Sequence, residues 1–416
     1  MTDGVQLDDA AWLEAGEVAR LLALLDRDGE EARVVGGAVR NSLLHLPVAE
    51  IDVATTALPE EVVRRVAASG WKAVPTGIEH GTITVVIEGK PFEVTTLRRD
   101  IETYGRKAKV AFGRDWATDA QRRDFTINAL SATAEGKVHD YVGGIADIAA
   151  RHVRFIGDPR QRIAEDYLRI LRFFRFHAWY GRGALDAAGL HACILARAGL
   201  EALSRERVRM ELLKLLLAPH ATATLTVMAE TGILGAVLGG VPLLASFENM
   251  VKVEAAVGIE ADAVRRLGAL GVYLKEDAER LGQRLRLTNA EAERLAALDS
   301  WCRVSPQGSE QAAHALLYQL GPRSFIDRTL VAWSRSEAGA KDGAWHELAS
   351  LPRRWSAPVF PLKAADFMRR GIAAGPALGA ALHAAEEFWI AADFPADAAA
   401  IAAIADRATR QTAASV

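Results

Sequence analysis

Arg33-Val34-Val35-Gly36-Gly37-Ala38-Val39-Arg40-Asn41, with Glu50-Ile51-Asp52-Val53-Ala54-Thr55 shortly after it, organises the reading of this chain. Arg33 to Val35 is predicted as a short apolar strand, and the two glycines allow a tight turn because no Cβ obstructs the backbone. A helix is predicted from Ala38 to His45. Its unpaired N–H groups and positive dipole end would face whatever sits over Gly36 and Gly37, a natural seat for phosphate. Glu50 and Asp52 are two apart on a second predicted strand, so alternation places both on one face. An anion seat beside paired oxygen ligands for a hard cation is what a nucleotide with Mg²⁺ requires.

Composition sets outer bounds. A chain of 416 residues is long for one core and predicts two to four domains. The net charge of −3 neither favours nor excludes a nucleic-acid partner, since local patches set the field a phosphate backbone meets. Cys193 and Cys302 are far apart and in no metal-ligand spacing, which points to a reducing compartment. The first residues lack a basic segment followed by an apolar one, and no apolar run has the length of a membrane span. A cytoplasmic protein with no membrane partner is the expectation.

Outward from the central stretch, Asp8 or Asp9 is placed to cap a helix reaching about Leu25, and Pro59 opens a helix to Ala68. Strands are predicted at Lys72–Pro75, Thr82–Ile87 and Phe92–Leu97, which makes a mixed sheet with helices on one side. Glu93 is then a third carboxylate on a strand that could lie beside the Glu50–Asp52 strand. Arg98 to Arg114 carries Arg98, Arg99, Arg106, Lys107, Lys109 and Arg114 with little apolar periodicity, and reads as a mobile basic loop. Arg122-Arg123-Asp124-Phe125-Thr126-Ile127-Asn128-Ala129-Leu130 puts cations beside an Asp and an Asn at the start of a predicted apolar helix. The Arg pair suits phosphates and Asp124 can accept from ribose hydroxyls. Pro159 to Trp179 reads as one long helix on which Asp166 and Arg169, three apart, share a face. Ser204 caps a helix to Leu217, and beyond about Pro219 the pattern is helical, punctuated at Gly239–Pro242, Pro306–Gly308, Gly321-Pro322 and Gly375-Pro376.

These motifs together resemble the class II tRNA nucleotidyltransferase and bacterial poly(A) polymerase family. The resemblance is carried by GGAVRN, EIDVATTALPEEV, RRDFTINAL, the EDxLRxLR pattern over Glu165 to Arg172, and the Leu203–Val208 motif. It is strong from Arg33 to about Leu217 and weaker beyond. The family pattern has Asp on both sides of the residue that is Ile51 here, so Glu50 is a departure. What the resemblance implies is an α+β nucleotidyltransferase head with a mixed sheet over 1–145, a helical neck for base recognition over 146–218, and a helical body and tail for tRNA over 219–416. It further implies a hinge at Gly143-Gly144, and RNA phosphates as the partners of Arg369 and Arg370.

The implied activity is template-independent addition of C and A to the 3′ end of tRNA from CTP and ATP, with Mg²⁺ and release of pyrophosphate. Glu50 and Asp52 would hold metal, with Glu93 completing the catalytic carboxylates. Gly36, Gly37, Arg40, Arg122, Arg123, Asp124, Asn128, Glu165, Asp166, Arg169 and Arg172 would bind nucleotide. Asp166 and Arg169 would read the base: cytosine and adenine each offer an amino donor beside a ring-nitrogen acceptor, whereas uracil and guanine offer a carbonyl beside an N–H. The partners implied are tRNA, ATP and CTP, and no protein. Two other readings stay open at this point, an A-only or poly(A)-adding relative and a non-catalytic RNA-binding relative. The chain lacks a basic terminal run of the kind the former tends to carry, and Glu50 is the one feature in favour of the latter.

Overall fold

The computed structural model describes residues 5–8, 10–14, 16–104, 107–299 and 304–414, with the strand residues 100–104 and 107–109 described by backbone alone. Asp9, Gly105, Arg106 and Cys302 therefore lie outside the described residues, as do the side chains of Lys107 and Lys109. The chain forms two compact units, Met1–Gly239 and Gly240–Val416.

The first unit is built on strands β1 (Ala32–Val35), β2 (Asp52–Thr55), β3 (Lys72–Gly77), β4 (Thr82–Ile87), β5 (Lys90–Thr96), β6 (Arg98–Tyr104), β7 (Lys107–Phe112), β8 (Ser131–Ala132) and β9 (Val138–His139). Seven of them form one sheet in the order β3-β4-β5-β2-β1-β8-β9. Only β2 and β5 pair in parallel; every other neighbouring pair is antiparallel, so the sheet is mixed as expected. Along β4, Ile83, Val85 and Ile87 are buried and alternate with partly exposed residues, the pattern of a half-covered strand. The first unit's helices are α1 (Ala11–Glu14), α2 (Gly16–Leu25), α3 (Gly37–Leu43), α4 (Pro59–Ala68), α5 (Trp116–Gln121), α6 (Gly144–Ala149), α7 (Pro159–Glu165), α8 (Leu168–Tyr180), α9 (Ala187–Leu195), α10 (Arg205–Leu216), α11 (Ala221–Glu230) and α12 (Ile233–Leu238). The single helix expected up to Leu25 is thus two, with Gly16 at φ 54° where the second begins.

Four further expectations change. The segment read as a mobile basic loop is the β6–β7 hairpin, paired from Arg98↔Phe112 to Tyr104↔Lys107. A ladder of backbone hydrogen bonds needs no apolar periodicity, so its charges hid the strands. After Phe125 there is no apolar helix but a 3₁₀ turn, Thr126–Asn128, leading into β8. There the Leu130 carbonyl accepts from Gly36 N–H at 3.0 Å, which ties the segment to the β1 turn. The long neck helix is broken into α7 and α8 at Asp166, which is extended at φ −156°, ψ 108° and accepts from Leu168 N–H at 3.1 Å. Gly143-Gly144 is fixed rather than hinge-like. The Asp140 carboxylate accepts from the N–H groups of Val142, Gly143, Gly144 and Ile145 at 2.9–3.0 Å, and a Cβ on Gly144 would lie 2.3 Å from the Thr126 carbonyl oxygen. Helices α11 and α12 fall within the first of the two compact units.

The second unit is entirely helical among the described residues. Leu244–Val257, Ala263–Gly271 and the long helix Glu310–Arg335 surround a buried ion network. Glu254 bonds Arg265 and Arg266 at 2.7 Å, and Asp327 bonds Arg265 at 3.1 Å and Arg294 at 2.5 Å. The long helix breaks at Gly321, φ 73°, and restarts at Pro322, where a turn was predicted. The last two helices, Pro376–Ala391 and Ala398–Ala414, pack through Ala381, Ala385, Ala405 and Ala408 against Trp389 and Phe367. Arg369 pairs with Asp366, and Arg370 with Asp406 at 2.9 Å. No helix among the described residues is long and apolar enough to cross a membrane.

Candidate active site

β1 ends at Val35 beside Asp52, the first residue of β2. Gly36 then turns the chain at φ 69°, ψ −115°, a region closed to residues with a side chain, and α3 begins. A Cβ on Gly36 would lie 3.4 Å from Nη1 of Arg123, so the turn is also closely overlaid. On the other side of β2, Asp52 is in register with Glu93 of β5, and Glu93 with Thr84 of β4. Glu50 is not on a strand, since β2 starts only at Asp52; the expected alternation of two strand carboxylates is replaced by one on the strand and one just before it. Glu50, Asp52 and Glu93 nevertheless line one cavity of about 670 Å³.

None of these three carboxylates forms a salt bridge among the described residues, and Asp52 has its carboxyl raised above the ordinary aspartate value by burial, then by the like charges of Glu93 and Glu50, against the pull of Arg123. Asp52 faces the open cavity, so solvent moderates the burial part, and the neighbouring Glu93 is the cause that the register best supports. No group of three His, Cys, Asp or Glu side chains among the described residues is arranged to enclose an ion.

The cations expected on phosphate are held by protein anions. Asp119, buried in α5, bonds Arg122 at 2.7 Å and Arg123 at 3.2 Å. Burial pushes its carboxyl up, but the two guanidinium charges outweigh this and hold it below the usual range. Arg162 of α7 donates to the carbonyls of Arg122 and Arg123, which fixes the pair from behind. Arg40 was expected on the triphosphate, yet it is buried. It donates to Asn41 Oδ1 at 2.8 Å, to Asn128 Oδ1 and to the Tyr180 hydroxyl at 2.8 Å, with its Cζ 3.9 Å above the Tyr180 ring. Arg40 therefore ties α3 to α8 and does not face an open phosphate seat. The physical reason is the aromatic end of α8, which supplies a flat, partly desolvated surface that a guanidinium fits well.

Asp124 accepts from Arg172 Nε at 2.7 Å, from Asn128 Nδ2 at 3.2 Å and from Phe125 N–H at 2.9 Å. Burial raises its carboxyl, but Arg172 and these hydrogen bonds bring it below the usual range. Asp166 and Arg169 do not share a helix face. Asp166 sits in the break before α8 and pairs with Arg207 of α10 at 2.6 Å, while Arg169 bonds Glu165 and donates to the Arg162 carbonyl at 2.6 Å. Asp119, Arg162, Tyr180, Arg207 and Glu211, which pairs with Arg175, were missed as partners from sequence. Only Arg207 stood in a noted motif.

His177, also on α8, is buried. Desolvation, then the nearby charges of His220 and His152, push it down to about 4. A histidine depressed below its unfolded value contributes stability that is present above about pH 6.5 and lost as pH falls toward 4. The expected outcome is a loss of about 3 kcal/mol across that window, absent in His177→Gln. Urea melts of both proteins at pH 7 and pH 4.5 check it, and equal acid losses would contradict it.

This geometry is that of a nucleotidyltransferase. Residues 32–154 match the model of the Poly A polymerase head domain, and residues 189–247 the model described as the probable RNA and SrmB-binding site of polymerase A. Mouse CCA tRNA nucleotidyltransferase 1, mitochondrial, is 34% identical over 378 residues, 89% of this chain and 85% of that protein. The CCA-adding enzyme of Limosilactobacillus fermentum is 31% identical over 373 residues, 87% and 89% of the two chains. The crystal structure of Bacillus stearothermophilus CCA-adding enzyme in complex with CTP superposes with a TM-score of 0.76 at 28% identity, covering 96% of this chain and 98% of that one. The chain belongs to the CCA tRNA nucleotidyltransferase family.

Proposed function

We propose that the protein adds C and A to the 3′ end of tRNA, taking CTP and ATP as substrates and Mg²⁺ as cofactor. The observation that carries this reading is the unpaired carboxylate set Asp52, Glu93 and Glu50 beside the Gly36 turn, in a chain that is similar to CCA tRNA nucleotidyltransferases along most of its length. Glu50 and Asp52 would hold the metal with Glu93 completing the catalytic carboxylates, and a bound Mg²⁺ would supply charge neutralisation at the α-phosphate and pyrophosphate oxygens. Gly36 and Gly37 leave room for the triphosphate, and Arg122 and Arg123 present their charge toward it while Asp119 sets their directions. Asp124, kept ionised by Arg172, is an acceptor for ribose hydroxyls; Asn128 steadies it. Arg40 positions α3 rather than touching phosphate.

For the base, Asp166 would accept the amino proton of cytosine or adenine and Arg169 would donate to the ring nitrogen, with Arg207 and Glu165 holding the two side chains apart. Residues 1–145, 146–218 and 219–416 would act as head, neck, and body with tail, the last for tRNA. The cytoplasmic assignment rests on the cysteine content; the mouse, zebrafish and human relatives are named as mitochondrial. Incorporation of each of the four nucleotides onto a shortened tRNA tests the substrate choice. Arg169→Ala is expected to lower the preference for C and A over U and G by about 1–3 kcal/mol, and an unchanged ratio would remove Arg169 from base reading.

A further inference from the structure

The cavity beside the carboxylates has one-sided chemistry. Strand β2 lies between β1 and β5. On the β1 side stand the Gly36 turn and Arg123, groups that suit a polyphosphate. The cavity runs to the β5 side, and there its walls are Trp12 of α1, Val18 of α2, and Pro91 and Phe92 of β5. Lys90, the one cation lining it among the described residues, is bonded to Glu17 at 2.7 Å. Acidic groups and apolar walls, with no unpaired cation among the described lining residues, would repel a triphosphate. They suit a neutral nucleoside.

The walls are also held in place. Trp12 donates its indole N–H to Ser42 Oγ of α3 at 3.1 Å, which fixes the ring against the helix that follows the glycine turn. Helix α2 is pinned to the β4–β5 turn twice, by Glu17 to Lys90 and by Arg20 to Glu88 at 2.6 Å. In phosphoryl transfer the attacking and departing oxygens lie roughly in line on opposite sides of the phosphorus. With the departing pyrophosphate on the β1 side, the attacking 3′-hydroxyl must approach from the β5 side. We propose that the cavity lined by Trp12, Val18, Pro91 and Phe92 seats the 3′-terminal nucleoside of the acceptor RNA, its base on the Trp12 ring and its hydroxyl toward Asp52 and Glu93. This assignment rests on the nucleotide-addition reading above.

The test compares two acceptor RNAs ending in CC, one normal and one with an abasic 3′-terminal nucleotide, on the full-length protein and its Trp12→Ala and Trp12→Phe variants. Loss of one base–aromatic stack is expected to raise the KM for RNA about tenfold in Trp12→Ala, with the KM for ATP unchanged. Trp12→Phe should recover most of it. On the unsubstituted protein the abasic end should cost a similar factor, and on Trp12→Ala it should cost little more. An abasic end that costs the unsubstituted protein nothing, or a Trp12→Ala defect confined to ATP, overturns the seat. If no RNA is extended at all, the addition reading has failed instead. Equilibrium binding of the two RNAs to the unsubstituted protein then decides the seat by itself: about tenfold weaker binding of the abasic RNA supports it, and equal binding overturns it.

Discussion

Asp52→Asn is expected to lower nucleotide addition by about three orders of magnitude or more, since a metal-centred charge clamp is worth several kcal/mol in the transition state. The same substitution is expected to raise the melting temperature of the metal-free protein near neutral pH. Burial and the charges of Glu93 and Glu50 raise the Asp52 carboxyl above its ordinary value. An acid whose folded pKa is raised gives stability that is full below its unfolded value and lost as pH rises through the folded one. At neutral pH the ionised Asp52 therefore opposes folding until a cation joins it, and Asn removes that opposition. Primer-extension rates and calorimetry in a chelator measure the two effects. A protein that keeps its rate, or one that melts lower at neutral pH, would contradict this account of the site. By the same balance, Glu50→Asp should remain active, because Glu50 lies before the strand and can be shortened without moving Asp52.

Asp327→Ala should be the most damaging substitution in the second unit. The Asp327 side chain is 1% exposed, and it answers both Arg265 and Arg294. Removing it leaves the buried guanidinium groups with Glu254, Asp262 and the Glu260 carbonyl as remaining partners among the described residues, and one carboxylate short. Breaking a buried pair from one side costs about 3–5 kcal/mol, more than the pair itself need ever have contributed. Denaturant unfolding reads this directly, and a loss under about 1 kcal/mol would show that water reaches the network.

The central turn was legible in the sequence because its causes are local. An apolar strand, a glycine with positive φ and a helix within a dozen residues need no distant partner, and β1, Gly36 and α3 stand where they were expected, while the strand carrying Asp52 starts two residues later than expected. That the Glu93 strand could lie beside the Asp52 strand was also accessible, though its parallel direction and register were not. What could not be read was which cation answers which anion. Arg40 finds Tyr180, Asp124 finds Arg172 and Asp166 finds Arg207 only after the chain has closed loops of many residues. Residue types limited these choices without deciding them, so Arg40 was assigned to phosphate and Asp166 to a helix face. The β6–β7 hairpin was hidden for a different reason, that its basic residues mask a backbone ladder.

The most direct test of the account is staged extension of a tRNA transcript lacking its last three nucleotides, resolved to single-nucleotide length. With CTP alone and Mg²⁺, the account predicts growth by two residues and a halt. ATP then adds one more, and neither UTP nor GTP is used. A long adenylate tract from ATP alone, or no extension with Mg²⁺ or Mn²⁺, would contradict it.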